Sequence, residues 1–280
     1  MKDPRALCDG RRRTKENRPL IHCITNPISI KGCANIVLAV GASPIMAEHP
    51  LEVEEITQKS DALALNLGNI TDARIGSMQI AAKAASREGI PIILDLVGVG
   101  ASKLRLDLAK KMIDSSAFSV LKGNMSEIKA MLDLDSHAVG IDAGAADKVD
   151  PGNMNESIAI VRSLAEKTGA VVVATGKYDI VSDDRQSFVA KNGTAMLSNI
   201  TGTGCMLTAL IAAYLPSSDP IDAALLGCLV MGISGELAEQ KIRSASPAPL
   251  GSASFETALI DSVFLMEDDL LIRSADWERK

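Results

Sequence analysis

Apolar residues follow two alternating patterns along the chain, short strand-like runs and longer stretches with helical spacing. Glycine follows each run within two residues, and the four runs are residues 62–67, 92–97, 118–121 and 170–174. Such runs are typical of buried strands in a parallel sheet. The stretches 75–87 and 104–113 have the periodicity of helices that cover a sheet. The alternation therefore predicts βαβ units and a mostly parallel sheet.

The last third of the chain has the periodicity of helices. Its first apolar stripe, at spacing i, i+3, i+4, i+7, i+8, consists of Leu207, Leu210, Ile211, Tyr214 and Leu215. A second helix is expected over 223–237, and a final one over 253–272. Earlier in the chain, residues 179–182 and 187–191 predict a hairpin, and the polar stretch 133–155 predicts a surface loop. The 280 residues are expected to form one domain, with 1–18 as a flexible or peripheral N-terminal arm.

Composition and charge exclude several classes of protein. Hydrophobic residues make up 47% of the chain but only seven are aromatic, which argues against a stacking platform for nucleic acids. The net charge is −6, and the one concentrated basic run, at 11–18, is expected to be a solvated arm. Five scattered cysteines fit neither a disulfide framework nor a zinc site. No apolar stretch long enough to span a membrane is free of charges and turn formers, so we expect a soluble, cytoplasmic protein.

The segment from Thr201 to Cys205 carries the strongest chemical signal, because it precedes an apolar-striped helix. Glycines at the start of a helix allow the backbone to approach an anion closely, and the first-turn N–H groups favour negative charge there. The candidate catalytic residues are therefore Gly202, Thr203, Gly204 and Cys205. A helix opened by glycines also occurs without any ligand. The chain has no Walker-type phosphate loop, so any bound ATP must use a different cradle.

Two acidic residues follow predicted strands. Asp95 ends one strand, and Glu127 lies three residues after Asn124, just beyond the next strand. Taken alone, Asn124 and Glu127 have the spacing of a capping box, and Asp95 is a turn former. Taken together, two carboxylates at the carboxyl ends of parallel strands beside a glycine-opened helix are typical of a Mg²⁺ site next to phosphates.

These residues belong to a set of strings that resembles the hydroxyethylthiazole kinases, a ribokinase-like family of thiamin salvage. The strings are Thr25 to Pro27, Gly41 to Ala47, Asn66 to Gly68, Asp95 with 97–101, Gly123 and Asn124 with Glu127, Thr175 and Gly176 with Asp179, and Gly202 to Cys205. The cysteine is distinctive, because most ribokinase-like enzymes resemble one another in having aspartate there. The resemblance implies a three-layer α/β fold with helices on both faces of the sheet. It also implies Mg-ATP-dependent phosphorylation of the hydroxyl of hydroxyethylthiazole.

The resemblance also implies roles for single residues. Those expected to contact the thiazole are Asn26, Met46, Gly68 and Gly202. Those expected to contact ATP are Lys122, Asn124, Thr175 and the backbone of 202–204. Asp95 and Glu127 would organise Mg²⁺. Met46 is equally suited to filling the core. The resemblance further implies a homotrimer in which the segment carrying Asn26 and Met46 completes a neighbour's site.

The chain departs from the family pattern at three positions, and two rival functions are compatible with most of the same residues. Leu96, Asn69 and Lys122 stand where the family commonly has proline, threonine and arginine. The rival functions are a nucleotide-repair dehydratase of the same superfamily, which would carry aspartate in place of Cys205, and a binding protein without catalysis. The helix N-terminus is expected to lower the pKa of the Cys205 thiol.

Overall fold

The computed structural model describes residues 4–136, 144, 147–244 and 251–280. Part of the predicted loop at 133–155 and the prolines at 247 and 249 therefore lie outside the described residues. Within them, the chain forms one sheet and two layers of helices.

Nine strands in the described residues form the sheet, in the order β2-β1-β3-β4-β5-β6-β7-β8-β9. They are β1 (Leu20–Ile24), β2 (Ser43–Ile45), β3 (Ala62–Asn66), β4 (Ile92–Asp95), β5 (Val120–Asn124), β6 (Val171–Thr175), β7 (Asp179–Ser182), β8 (Ser187–Ala190) and β9 (Trp277–Arg279). Strands β1 to β6 pair in parallel, and β7, β8 and β9 extend the sheet antiparallel. The predicted mostly parallel sheet and the hairpin are confirmed.

Helices cover both faces of the sheet. One face carries α3 (Val53–Gln58), α4 (Asp72–Glu88), α5 (Lys103–Ser115), α6 (Met125–Met131) and α7 (Met154–Thr168). The other carries α1 (Pro4–Asn17), α2 (Ile30–Ala39), α8 (Thr203–Tyr214), α9 (Pro220–Ser244), α10 (Ser252–Phe264) and α11 (Asp268–Ser274). Short 3-10 helices cover Ala195–Asn199 and Leu215–Ser217. The three-layer α/β architecture is confirmed.

Strand β3 shows how the sequence divides between the two cores. Leu63 and Leu65 pack on the side of α4, whereas Ala62 and Ala64 pack on the side of α8. All four are buried, so the strand appears in the sequence as a continuous apolar run. Each fully buried leucine contributes about 1.5–3 kcal/mol. The two alanines leave room for α8 to lie close to the sheet, which sets the position of its N-terminus.

The structure corrects several boundaries expected from the sequence. Strands β1, β2 and β9 were not predicted; β1 carries a polar histidine, and the other two have only three residues each. The single helix expected over 253–272 is two helices, because α10 ends at Phe264 and Glu267 has extended backbone before α11. Arg11 donates to the carbonyl oxygen of Met266 at 2.6 Å and so stabilises this break.

The N-terminal segment forms a helix that packs on the core, while the basic side chains of Arg12, Arg13, Lys15 and Arg18 are exposed, as expected of a solvated run. In α1, Leu7 and Cys8 are buried against the core. Arg11 donates to Asp268 Oδ1 from both Nε and Nη2, at 3.0 and 2.6 Å, in a partly buried ion pair. Through Arg11, the basic run therefore links the N-terminal helix to α11 near the other end of the chain.

Helix α9 is the one helix in the described residues that is long and apolar enough to cross a membrane, by length and composition. No such stretch was expected from the sequence. Of its apolar window, 83% is buried inside the protein. That burial gives α9 the role of a core helix, packed against α8 and α10.

Candidate active site

Three polar residues lie side by side where β3, β4 and β5 end. The strand register aligns Asn66 with Asp95 and Asp95 with Lys122. Parallel strands present their carboxyl ends at one edge of the sheet, where open α/β proteins bind ligands. The N-terminus of α8 approaches the same edge, since Thr208 on α8 donates to Asp95. The sheet and α8 thus bring together groups that are far apart in the sequence.

Asp95 and Lys122 form a buried ion pair at the centre of this row. Their Oδ1 and Nζ atoms are 3.0 Å apart, and their side chains are 0% and 4% exposed. Burial opposes the charge on Lys122, but the Asp95 carboxylate, with smaller contributions from Cys205 and Glu127, outweighs it and raises the pKa of the lysine. Lys122 therefore carries a positive charge inside the site at neutral pH.

The loop before α8 has the geometry of an anion cradle. Gly202 has φ of +88°, a conformation that L side chains rarely adopt, and a Cβ there would lie 3.2 Å from Cβ of Ser29. A Cβ on Gly204 would lie 3.7 Å from Lys122 Nζ, so the ammonium faces the first turn of α8. The Thr203 hydroxyl donates to the carbonyl oxygen of Leu197 at 2.9 Å and so braces the loop. Backbone N–H groups, a helix dipole and a lysine thus converge.

Glu127 closes a capping box at the start of α6. Its Oε2 accepts from the backbone N–H of Asn124 at 2.7 Å, and its own N–H donates to Asn124 Oδ1 at 3.0 Å. Its Oε1 accepts from the N–H of Gly98 at 2.7 Å, which draws the loop after β4 toward β5. Burial, with Asp95 nearby, raises the pKa of Glu127 to about 7 despite the two N–H donors. The capping interpretation is confirmed, and Glu127 also lies within electrostatic reach of Asp95.

The donor set fits a magnesium ion shared with phosphates. Asp95 and Glu127 supply hard carboxylate oxygens, and the charge of Asp95 is felt at Glu127, whose pKa it helps to raise. In the described part of the chain, no group of three or more His, Cys, Asp or Glu side chains converges on one point. Two carboxylates alone do not fill the shell of Mg²⁺, which ordinarily takes its remaining ligands from water and phosphate oxygens. A dedicated protein cage is therefore not needed.

The structure contradicts the expected pKa of Cys205. Burial and then the Asp95 carboxylate raise the pKa of this thiol, while Lys122 and two hydrogen bonds only partly compensate. The side-chain amides of Asn26 and Asn66 point at its Sγ, with Nδ2 atoms at 3.2 and 3.3 Å. The helix N-terminus would lower the pKa of this thiol, but the rise in pKa caused by burial is larger. The thiol is therefore protonated at neutral pH.

The residues expected to hold the thiazole are only partly brought together. Asn26 donates to Asn66 Oδ1 at 3.2 Å. A Cβ on Gly68 would lie 2.8 Å from Asn66 Oδ1 and 3.2 Å from Asn26 Nδ2, so no side chain fits there. Met46 lies directly after β2, next to β1, and packs half-buried against the core on the α8 side.

The remaining residues that are expected to contact ATP lie at the ends of β5 and β6. The register aligns Asn124 with Thr175, and Thr175 Oγ1 donates to the carbonyl oxygen of Gly123 at 3.4 Å. Asp179 accepts from the N–H of Gly176 at 3.0 Å and so closes the turn after β6. Asn124 and Thr175 thus continue, on β5 and β6, the row of polar residues at the strand ends that begins with Asn66 on β3.

Two polar residues of this site were not among the candidate site residues. Asn66 and Thr208 both donate to Asp95 Oδ2, at 2.9 and 2.8 Å. In the sequence, Asn66 belongs to one of the family strings, but no role for its side chain was predicted. Thr208 could have been suspected as a polar residue one turn after Gly204 in an otherwise apolar helix.

The departures from the family pattern are accommodated locally. Leu96 is fully buried in the core beside α5 and α6. Asn69 has φ of +50°, which asparagine tolerates better than most residues, and its carbonyl oxygen accepts from Arg74 Nη1 at 2.9 Å. Lys122 reaches Asp95 as a point charge, without the two-pronged geometry of arginine.

Comparison with known proteins places the chain in a family. The model of the hydroxyethylthiazole kinase family matches residues 12–269. Hydroxyethylthiazole kinase 2 of Clostridium botulinum strain Hall is 51% identical over 263 residues, 94% of this chain and 96% of its own length. The structure of the Pyrococcus horikoshii hydroxyethylthiazole kinase is similar at 31% identity, with a TM-score of 0.85 over 98% of each chain. A ribokinase-like protein of Enterococcus faecalis shares the fold, with a TM-score of 0.61 at 12% identity over 89% and 88% of the two chains. The chain belongs to the hydroxyethylthiazole kinase family.

Proposed function

We propose that this protein uses Mg-ATP to phosphorylate the hydroxyl of 4-methyl-5-(2-hydroxyethyl)thiazole, a step of thiamin salvage. The observation that carries the proposal is the buried Asp95–Lys122 pair, whose ammonium faces the glycine-opened N-terminus of α8. Phosphoryl transfer needs positioned positive charge and backbone donors more than covalent help. This site offers both, in a chain of the kinase family.

Each candidate residue has a role consistent with its position. Lys122 and the first-turn N–H groups of α8 receive phosphate oxygens, while Thr175 and Asn124 contact the nucleotide from the strand ends. Asp95 and Glu127 would hold Mg²⁺ directly or through its waters, and the ion would neutralise phosphate charge. Because ATP phosphates then compete for Lys122, the ion pair with Asp95 loosens when nucleotide binds.

The substrate side combines a small polar group with apolar walls. Asn26 and Gly68 line the polar end near Cys205, and Met46 supplies an apolar wall for the thiazole ring. Gly202 admits the hydroxyethyl arm because it has no side chain. The Cys205 thiol contacts the reacting hydroxyl, but a loose transition state needs little help from a base, so its protonated state does not prevent the reaction.

We also propose a cytoplasmic homotrimer in which the loop after β2, with Met46, contributes to a neighbour's site, whereas Asn26 on the loop after β1 contacts Cys205 of its own chain at 3.2 Å. Large apolar side chains are exposed on these loops, since Ile28 is 66% and Leu51 is 91% exposed. Gel filtration with light scattering tests the assembly, and a fully active monomer would refute it.

The proposed activity is tested by ADP release from Mg-ATP with hydroxyethylthiazole, compared with hydroxymethylpyrimidine and ribose. We expect turnover with the thiazole at least about tenfold above either alternative, since a pocket tuned to one ring rejects others on that scale. Binding of ATP and thiazole without turnover would support a binding protein instead. Dehydration of a hydrated nicotinamide nucleotide would support the dehydratase.

A further inference from the structure

The carboxylate of Asp95 is held on one edge by two neutral donors. Asn66 Nδ2 and Thr208 Oγ1 both donate to Oδ2, at 2.9 and 2.8 Å, while Oδ1 lies 3.0 Å from Lys122 Nζ, within ion-pair distance but without the alignment of a hydrogen bond. All four side chains are buried. The two oxygens of one carboxylate thus have different tasks, one anchored in the protein and one directed at the cation.

The hydrogens in this network can be assigned from groups that only donate. The backbone N–H of Gly68 lies 2.8 Å from Asn66 Oδ1, so Oδ1 is the acceptor and Nδ2 must face Asp95. The Thr208 hydroxyl has one proton and two acceptors in reach, Asp95 Oδ2 at 2.8 Å and the carbonyl oxygen of Gly204 at 3.2 Å. The shorter, charge-assisted bond to the carboxylate takes the proton.

The two donors connect Asp95 to both sides of the site. Thr208 lies on α8 one turn after Gly204, so its bond ties the end of β4 to the helix that forms the anion cradle. Asn66 also donates to Cys205 Sγ at 3.3 Å and accepts from Asn26, so the same amide reaches the substrate side. Loss of the Asn66 or the Thr208 donor is therefore expected to move the Asp95 carboxylate relative to both ATP and the thiazole.

We propose that Asn66 and Thr208 are positioning residues for phosphoryl transfer, which hold Oδ2 of Asp95 so that Oδ1 stays directed at Lys122 and the α8 N-terminus. The inference rests on the proposed function, which puts the phosphates there. Without the donors, the carboxylate turns about its last torsion and engages Lys122 with both oxygens. The ammonium is then held back from the phosphates, and the reacting groups lose alignment.

Thr208→Val tests the proposal, because valine keeps the shape and removes the donor. Thr14→Val is the matched control: Thr14 is fully buried outside the site, and its hydroxyl bonds the carbonyl oxygen of Gly10, four residues earlier, at 3.1 Å. We expect Thr208→Val to lower kcat at least about tenfold, with thiazole KM changed less than about threefold, and Thr14→Val to change kcat less than about twofold. Thr208→Ser, which restores the donor, is expected to keep at least about half of kcat.

Calorimetry of ADP binding gives a readout that does not depend on turnover. In Thr208→Val, the Kd of ADP in the presence of Mg²⁺ is expected to rise at least about threefold, and the metal-free Kd is expected to rise as well because the Lys122 ammonium is held back from the phosphates; neither Kd should change in Thr14→Val. If the parent shows no effect of Mg²⁺, the metal assignment of the proposed function fails, and the kcat comparison still decides the positioning role. Thr208→Ala replaces the valine variant if that does not fold. A kcat loss no larger than in Thr14→Val, or an equal loss in Thr208→Ser, overturns the proposal.

Discussion

Replacing Glu127 by glutamine separates its capping role from its charge. Both carboxylate oxygens accept a backbone N–H, from Gly98 and Asn124, each at 2.7 Å. Glutamine has one acceptor oxygen, so one of these N–H groups loses its partner, at a cost of about 1–3 kcal/mol. The same change removes a charge that burial disfavours. The net effect on stability therefore depends on pH.

The direction in which the free energy of unfolding changes with pH follows from the direction of the Glu127 pKa shift. Burial raises the pKa of Glu127 to about 7, above the ordinary value of 4.5, so the folded state binds this proton more tightly than the unfolded state. The parent consequently loses stability as pH rises from about 4.5 to 7, and the full penalty applies above that range. The rise of this pKa from 4.5 to about 7 corresponds to roughly 3 kcal/mol, most of which falls between pH 5 and 8. The stability of Glu127→Gln relative to the parent should rise by that amount over this interval.

Urea unfolding of both proteins at several pH values measures this difference. Glu166→Gln, which changes an exposed glutamate on α7, is the control and should show a constant difference from the parent. A constant difference for Glu127→Gln as well would refute the argument that Glu127 is neutralised by burial. At pH 8 we further expect kcat to fall at least about tenfold while the variant stays folded; intact turnover with lower stability would leave Glu127 only its capping role.

Substitutions at three further positions test the substrate side of the site. Met46→Ala should weaken thiazole binding by about 1–3 kcal/mol, the scale of lost pocket packing, and should leave ATP affinity nearly unchanged in titrations of each ligand; equal losses would indicate a folding defect. Gly68→Ala places a methyl group 2.8 Å from Asn66 Oδ1, so thiazole KM should rise at least about tenfold, and an unchanged KM would remove Gly68 from the pocket. Cys205→Ala should slow turnover without abolishing it, and Cys205→Asp should stay active; an alanine variant with parental kcat would exclude the thiol from the mechanism.

The sequence was sufficient to predict the layers of this fold because its strands are buried on both faces. Continuous apolar runs such as 62–65 separate clearly from the amphipathic helices around them. Strand β1 was missed because His22 interrupts its apolar run, although that side chain is buried and contacts Thr57 Oγ1 and the carbonyl oxygen of Ala47, each at 2.9 Å. A polar residue satisfied by distant partners cannot be recognised from its neighbours in the sequence.

The site was predictable as a set of residues but not as a network. Asp95 and Lys122 could be placed at strand ends, yet their pairing depends on the register of β4 and β5, which no local pattern specifies. The pKa of Cys205 was predicted in the wrong direction for a related reason. The helix N-terminus is visible in the sequence, but the burial and the nearby carboxylate that outweigh it are tertiary properties.

The two asparagines that face Cys205 account for the chemistry this position can accept. Asn26 Oδ1 accepts the backbone N–H groups of Ile28 and Ser29, at 3.1 and 3.2 Å, so its Nδ2 must point toward the sulfur. Asn66 is oriented in the same way by Gly68. Two fixed N–H donors therefore meet at a point where only an acceptor is stable, and a thiol sulfur or a carboxylate oxygen satisfies that condition. The environment, rather than the residue itself, sets the requirement, which is why aspartate is expected to be tolerated where the chain has cysteine.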